Sequence, residues 1–275
     1  MVSVLGALDA DLVQRILNSP PFHSVDGVIN FRDLGSSSGA ITPGILFRSG
    51  ELTRLSQRGK DELKALGVAT VFDLRSQSEI TKYSSATPEI DGVRFVHVPV
   101  SDKDEYDPMA LAARVTRFET DEKEAFATLY SNILESGARA YETILKHIRD
   151  KPGEACLVHC TAGKDRTGMF AAIVQLLLGA TDDAVIQDYY LTTFGLQPAL
   201  PHLVARFQRE ALYQKNKAGF EIMASAKKET MHASLEMIRT KYGGAEAYIK
   251  QCTTLTDADI AQIRKNLAAD PVAKY

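Results

Sequence analysis

Residues 155–168, ACLVHCTAGKDRTG, join an apolar strand pattern to an apolar helix pattern through a polar loop. Ala155–Val158 predicts a short buried strand, and Thr167–Leu178 predicts a buried helix that ends at Gly179. A loop between a strand and the amino end of a helix gathers backbone N–H groups, which bind an oxyanion with little help from side chains. The stretch therefore predicts an α/β unit with an anion site at the junction of strand and helix.

Four further apolar runs, rich in β-branched or alternating residues, precede this unit. They are Val28–Phe31, Ile45–Phe47, Val68–Phe72 and Val93–Val98. The Ser/Gly-rich segment Gly35–Gly39 separates the first two, which predicts a hairpin or a pair of neighbouring strands. Strands thus occupy the first 160 residues, and helices dominate the rest of the chain.

The helical predictions rest on apolar spacing and on residues typical of helix ends. Leu8–Leu17 is amphipathic, and Ser56–Gly67 begins with an N-cap serine and ends in a glycine. Glu122–Arg149 has apolar residues at helical spacing, with Gly137 as the point where the helix kinks or divides. The last helix begins with a capping-box pattern, Thr256–Asp259.

Composition excludes several classes of protein. The 275 residues carry a formal net charge of −3, so there is no basic excess to support general nucleic-acid binding. The amino terminus lacks the features of a secretory leader, and the longest apolar run, Met169–Leu178, is too short to span a bilayer. Three cysteines cannot form a disulfide framework, which favours a reducing compartment. We expect a soluble, cytoplasmic protein without stable membrane insertion.

The loop carries the residues that cysteine-dependent phosphoryl transfer needs. Five residues separate Cys160 from Arg166, so that both ends of the loop face one phosphate. Arg166 is suited to grip two phosphate oxygens, and the helix N-terminus favours the thiolate of Cys160 as nucleophile. Asp165 is the first choice for the acid that protonates the leaving group and the base that activates water. Its rivals in the polar stretch after Val98 are Asp102, Asp104 and Asp107.

Other loop residues have predicted supporting roles. The backbone of Thr161, Ala162 and Gly163 should bind phosphate, with Gly163 relieving a turn that needs positive φ. Lys164 adds a cation beside the thiolate. Thr167 is placed to donate a hydrogen bond to the sulfur, and His159 to order the loop rather than act as a base.

Three side chains follow other predicted strands and should approach the same sheet edge. Arg48, Asp73 and Arg75 are predicted to line or brace the phosphate site, because ligands gather beyond the carboxyl ends of strands in open α/β sheets. A structural salt-bridge role is an equally open interpretation. Cys156 and Cys252 are predicted to be inert packing residues.

Two other kinds of site are disfavoured. The pair Gly163-Lys164 does not make a nucleotide-binding loop, because His159 and Asp165 occupy positions that need Gly and Ser/Thr. No set of His, Cys and carboxylate residues has metal-ligand spacing, so neither metal nor cofactor is predicted.

These motifs resemble a known family. His159–Gly168 fits the H-C-x-x-G-x-x-R-T-G signature of the protein tyrosine phosphatase superfamily. It is similar to the atypical tyrosine/serine and lipid phosphatase branch of bacteria and fungi, as are Asn30–Gly35, Phe47–Ser49, Asp73–Ser76 and Tyr242–Gly244. The resemblance spans roughly Val28 to Leu267 in matching order, although Gly35-Ser36 departs from the family's double glycine.

The resemblance implies a fold and a division of the chain. The expected α/β fold has a mainly parallel sheet of four to five strands, flanked by helices, with a helical C-terminal extension. Residues 1–275 are expected to form one phosphatase domain, with an α/β core over 1–192 and the extension over 193–275. A candidate lid lies within 198–228.

The resemblance also implies site roles. Cys160 carries over as nucleophile, Arg166 as phosphate binder and Asp165 as general acid. Lys164 carries over as a second cation, and in related lipid phosphatases such a lysine contacts a further ring phosphate. The expected activity is hydrolysis of phosphotyrosine, phosphoserine/threonine or phosphoinositides. The alternatives are a rhodanese-type sulfurtransferase, which the in-loop acid disfavours, and a catalytically silent phosphate-binding module.

Overall fold

The computed structural model describes residues 8–101, 108–208, 213 and 215–269. In these ranges the strands form a single sheet with the order β1-β2-β5-β3-β4. The strands are β1 Arg32–Asp33, β2 Leu46–Ser49, β3 Val68–Asp73, β4 Arg94–His97 and β5 Ala155–His159. β1 is antiparallel to β2, and every other neighbouring pair is parallel. The expected α/β fold with a mainly parallel sheet is confirmed.

Helices precede the first strand, connect the strands and follow the last strand. They are α1 Ala10–Leu17, α2 Leu34–Ser38, α3 Gln57–Ala65, α4 Gln77–Lys82, α5 Pro108–Thr120, α6 Glu122–Asp150, α7 Arg166–Leu177, α8 Asp182–Gly195, α9 Leu200–Gln208, α10 Lys217–Met223, α11 Lys228–Tyr242, α12 Ala245–Cys252 and α13 Asp257–Leu267, with a 3-10 turn at Gln197–Ala199 between α8 and α9. No helix among the described residues is both long enough and apolar enough to cross a membrane.

The central position of β5 brings the strand ends together. β5 lies between β2 and β3, and its last residue, His159, is in register with both Ser49 and Asp73. Because these three strands are parallel, their carboxyl ends share one edge of the sheet. The residues that follow them therefore converge on the loop that leaves β5.

Alternating side chains of the central strands pack into two apolar cores, one on each face of the sheet. Val158 and Phe72 point into a large core shared with α6, α7 and the C-terminal helices, while Leu157 and Val71 belong to a smaller core on the other face. Every residue of β5 is buried. The last three helices thus pack into the same core as the helix that follows the loop.

Several predicted helix ends are confirmed. The Ser56 side chain caps α3 by accepting from the N–H of Gly59, and Thr256 forms the predicted capping box with Asp259 at the start of α13. α6 runs without interruption from Glu122 to Asp150, so Gly137 does not divide it. A Cβ at Gly137 would lie 3.3 Å from the Val100 side chain, so this glycine accommodates close packing.

The predicted first strand is misplaced. Val28–Phe31 is not a strand, and the antiparallel partner of β2 is the two-residue β1 that follows it. Asn30 has φ 56°, which interrupts the extended conformation. The predicted pair of neighbouring strands around Gly35–Gly39 is present as β1 and β2, and the short helix α2 lies between them, starting where the Asp33 side chain accepts from the N–H of Gly35.

The candidate lid and the alternative general acids are the two remaining predictions. The segment 198–228 contains α9 and α10, and a lid function for this segment stays a prediction. Asp102, Asp104 and Asp107 lie outside the described residues.

Candidate active site

The loop that leaves β5 holds a buried cysteine. Cys160 directly follows the strand and is 2% exposed, and α7 begins six residues later at Arg166. Gly163 has φ 66°, which confirms the predicted need for positive φ, and a Cβ there would lie 2.2 Å from the Ser49 carbonyl oxygen. Only glycine therefore lets the loop pass this close to the end of β2.

Arg166 is held by a carboxylate that sequence analysis missed. Its Nη1 donates to Glu79 Oε2 at 2.6 Å, and its Nη2 donates to Glu79 Oε1 at 3.2 Å. Glu79 is fully buried and also accepts from the Thr161 hydroxyl. A two-point fork of this kind fixes the plane of the guanidinium group at the rim of the loop.

The sequence does contain a signal for Glu79, but it suggests a different role. Ser76 and Glu79 fit the S-x-x-E capping-box pattern at the start of α4. The Ser76 side chain does accept from the N–H of Glu79, at 3.2 Å. The Glu79 carboxylate, however, is turned to Arg166 and Thr161 in the loop.

Asp165 is oriented by two donors. Its Oδ1 accepts from the Tyr130 hydroxyl at 2.9 Å and from the Lys164 ammonium group at 2.8 Å. Although Asp165 occupies the N-cap position of α7, its side chain makes no capping bond. Tyr189 lies behind this group, with its hydroxyl 2.6 Å from that of Tyr130. Since the Tyr130 proton is directed at Asp165, Tyr189 donates to Tyr130. Neither tyrosine was singled out from the sequence.

Lys164 lies under the loop, in a set of protein acceptors. Its buried ammonium group donates to the carbonyls of Met223 at 2.8 Å and Ser225 at 2.9 Å, in addition to Asp165, and lies 5.1 Å from the centre of the Phe126 ring. Burial alone would lower the pKa of Lys164, but Asp165, Tyr189 and Cys160 together raise it above its usual value. The three N–H groups all have protein partners. The predicted role as a second substrate cation would require one of these bonds to break.

Arg48 braces the loop from behind. Its Nη2 donates to the Gly163 carbonyl at 2.6 Å, and its Nη1 pairs with Asp188 at 2.5 Å. Arg32 also pairs with Asp188, at 2.8 Å, and the Asn30 amide donates to the Ala162 carbonyl at 2.9 Å. Arg48 was predicted either to line the phosphate site or to brace it. Because it is 1% exposed and bonded to the loop backbone, the contact that it makes is the bracing one.

Asp73, Arg75 and His159 form a further layer beside the strand ends. Arg75 pairs with Asp73 at 2.7 Å, and the His159 ring lies 3.7 Å from the same carboxylate. Burial alone would raise the pKa of Asp73, but His159 and the hydrogen bonds from Arg75 hold it well below its usual range. Burial lowers the pKa of His159. His159 Nδ1 lies 3.3 Å from the Cys160 carbonyl oxygen.

Thr167 and the remaining cysteines complete the neighbourhood. The Thr167 hydroxyl is fully buried and has no hydrogen-bond partner in the described part of the chain, in the first turn of α7. All three cysteines are free. Burial raises the pKa of Cys156 to about 12, so this thiol is unreactive, and burial also raises the pKa of Cys252. The described residues contain no cluster of three or more His, Cys, Asp and Glu side chains that would hold a metal ion.

Known phosphatases are similar to this chain over most of its length. The chain is 28% identical over 280 residues to the triple specificity protein phosphatase PtpB of Mycobacterium tuberculosis, covering 87% of this chain and 95% of that protein. It is 25% identical over 233 residues to a tyrosine-protein phosphatase of Nostoc commune, covering 83% and 76% of the two chains. A crystal structure of TpbA from P. aeruginosa aligns over 90% of this chain and 96% of that one, at 17% identity and a TM-score of 0.33, too low to support any inference. The model of the tyrosine phosphatase family matches residues 23–269, and the chain therefore belongs to the tyrosine phosphatase family.

Proposed function

We propose that this phosphatase hydrolyses phosphomonoesters through a covalent phosphocysteine at Cys160. The observation that carries the proposal is the loop from Cys160 to Arg166, with its buried thiol at the head of α7 and its guanidinium group fixed by Glu79. A helix N-terminus and a nearby arginine both favour thiolate over thiol. They also bind the three non-bridging oxygens of a phosphoryl group.

The reaction has two steps in this proposal. The Cys160 thiolate attacks phosphorus, the bond between phosphorus and the ester oxygen breaks, and Asp165 gives its proton to the leaving oxygen. Asp165 then takes a proton from water, the resulting hydroxide attacks phosphorus, and the S–P bond breaks to return the thiolate. Arg166 and the loop amides hold the phosphoryl oxygens in both steps, and Thr167 is placed to donate to the departing sulfur.

The substrate class in this proposal is broad. Family membership supports phosphotyrosine, and the triple specificity of the PtpB relative makes phosphoserine/threonine and phosphoinositides the further candidates. A cytoplasmic location is also part of the proposal, because the three thiols are free. Cell fractionation with a compartment marker tests the location.

Phosphate release from p-nitrophenyl phosphate tests the mechanism. Wild-type protein should turn over, and Cys160→Ser should not, because a serine hydroxyl stays protonated at this site. Cys252→Ser is the matched control, since Cys252 is half-buried and belongs to α12, outside the loop. Quenched wild-type reactions should show a mass increase of one phosphoryl group on the peptide that contains Cys160. Turnover by Cys160→Ser, or phosphoryl label on another residue, would refute the covalent mechanism.

A further inference from the structure

A cavity of about 500 Å³ opens beside the catalytic loop. Thr161, the residue after Cys160, forms part of its wall, so the cavity adjoins the loop proposed for phosphoryl transfer. A volume of this size is typical of a pocket for a small ligand or a few side chains. The cavity is therefore in place to receive the part of a substrate next to the phosphate.

Part of the wall is apolar. Ile29 and Tyr83 are half-buried and line the cavity together with Pro198. An aromatic ring gains from packing against such a surface. An inositol ring, which presents hydroxyl groups in every direction, gains little from it and loses hydration. The wall thus favours an aryl phosphate and its peptide over an inositide.

The cavity also presents a positive charge that no group among the described residues neutralises. Arg54 is exposed and has no hydrogen bond or ion pair to any residue in the described ranges, and His202, also exposed, shares the lining. Glu51 lines the cavity too, but its carboxylate is paired with Arg75 at 3.0 Å. Arg54 is therefore the group that an acidic substrate side chain would meet.

Lys164 does not provide this charge. Its ammonium group is buried and bonded to Asp165 and to the carbonyls of Met223 and Ser225. An anionic group next to the scissile phosphate would break those bonds to reach it. Arg54 requires no such rearrangement.

We propose that this flank pocket, lined by Ile29, Arg54, Tyr83, Thr161, Pro198 and His202, binds the residues beside phosphotyrosine in a peptide substrate, and that Arg54 selects an acidic side chain there. The proposal rests on the phosphatase function proposed above. Arg54 is a specificity-determining residue in this scheme and takes no part in bond breaking.

The test compares three phosphotyrosine peptides that differ only in flanking charge: glutamate, glutamine or lysine on both sides. Wild-type protein should prefer the glutamate peptide over the lysine peptide in kcat/KM, by about two- to five-fold for each exposed charge contact. Arg54→Glu should reverse that order. Added salt should shrink the preference in both proteins, because the contact is exposed.

Arg58→Glu is the matched control. Arg58 is an exposed arginine on α3 that pairs with Asp26 at 2.9 Å and does not line the cavity. Arg58→Glu changes the net charge by the same amount as Arg54→Glu and should keep the wild-type order of kcat/KM for the three peptides. If Arg58→Glu reverses the order as well, or if Arg54→Glu leaves it unchanged, the proposal is overturned.

Two further substrates separate other outcomes. If Arg54→Glu impairs only a bisphosphorylated inositol headgroup and leaves the peptide ranking intact, the pocket reads a second phosphate and the peptide proposal is wrong. Wild-type release of phosphate from p-nitrophenyl phosphate monitors the chemistry itself. Its absence would refute the proposed function, whereas turnover without a peptide preference would refute only the pocket's role.

Discussion

The contact between Tyr130 and Asp165 predicts a specific pattern of non-additive losses. Tyr130→Phe removes one hydroxyl, whose hydrogen bond to Asp165 Oδ1 is 2.9 Å long, and keeps the buried ring. Asp165→Asn keeps an acceptor oxygen for Tyr130 and Lys164 but removes the transferable proton. The two substitutions therefore separate orientation of the acid from proton transfer by it.

The magnitudes follow from the contacts. A hydrogen bond to a charged group contributes about 1.5–3 kcal/mol, so Tyr130→Phe should slow turnover of a poor leaving group by about 10- to 150-fold. The lower end is expected, because Lys164 still holds the same oxygen at 2.8 Å. Loss of general acid catalysis in Asp165→Asn should cost about 10²–10⁴-fold with the same substrate.

The assay is a double-mutant cycle on two substrates. kcat/KM is measured for wild type, both single variants and the double variant, with an alkyl phosphate and with p-nitrophenyl phosphate. Because Tyr130 acts through the Asp165 carboxyl group, the double variant should be no worse than Asp165→Asn alone. All losses should shrink with p-nitrophenyl phosphate, whose leaving group needs little protonation.

Tyr248→Phe is the control for a buried tyrosine. The Tyr248 hydroxyl donates to the Leu134 carbonyl in α6 at 2.7 Å, not to Asp165, so this variant should lose stability without a leaving-group effect. Multiplicative losses in the double variant would refute the reasoning, because they would show that Tyr130 acts independently of Asp165. Equal losses on both substrates would show that Asp165 shapes the loop and does not supply a proton.

Three further perturbations have expected outcomes. Gly163→Ala should lower the free energy of unfolding in urea by more than about 2 kcal/mol and abolish turnover, because it adds a clash with Ser49 to the cost of positive φ. Gly67→Ala is the control: Gly67 has φ 77° in open space, so this variant should cost only about 1–2 kcal/mol. Equal costs for the two variants would show that the clash is absent. The urea midpoint should fall as pH drops below about 6.5, because burial lowers the pKa of His159 and His147 in the folded protein. Below that pH the unfolded chain binds more protons than the folded protein, so this contribution to stability is complete only above about pH 6.5. A midpoint that is unchanged down to about pH 5 would contradict this prediction. Lys164→Met should lower kcat/KM for an inositide and a phosphotyrosine peptide in parallel, because its ammonium group is bonded to Asp165 and two carbonyls; a loss confined to the inositide would instead support the second-cation role.

What the sequence could predict was local in the chain. β5, the loop and α7 follow one another within residues 155–177, so their apolar pattern, the glycine and the helix start are all visible in one window. The strand ends that converge on the loop were also accessible, because parallel strands place their carboxyl ends on one edge. Gly163 is the clearest example, because the presence of glycine in the loop was enough to predict a turn with positive φ.

What the sequence could not predict depends on contacts between distant residues. Glu79 and Arg166 are 87 positions apart, and the pattern around Glu79 is fully explained by a helix cap. Tyr130 fits the apolar face of α6, and nothing in its spacing shows that its hydroxyl reaches Asp165. Asn30 interrupts a run with good strand propensity because its N–H is bonded to the Gly195 carbonyl, which is again a tertiary contact.

The buried ion cluster behind the loop is explained better by positioning than by stability. Arg32 and Arg48 are both fully buried around Asp188, and the cost of removing three charges from water is commonly as large as their mutual attraction. An apolar replacement of similar volume would fill the same space, but it would offer no donor to the Gly163 carbonyl, which Arg48 reaches at 2.6 Å. Gly163 lies against the end of β2 at Ser49, and its backbone has positive φ there. A fixed guanidinium group at this point holds the turn in place, so the cluster secures the shape of the loop between Cys160 and Arg166.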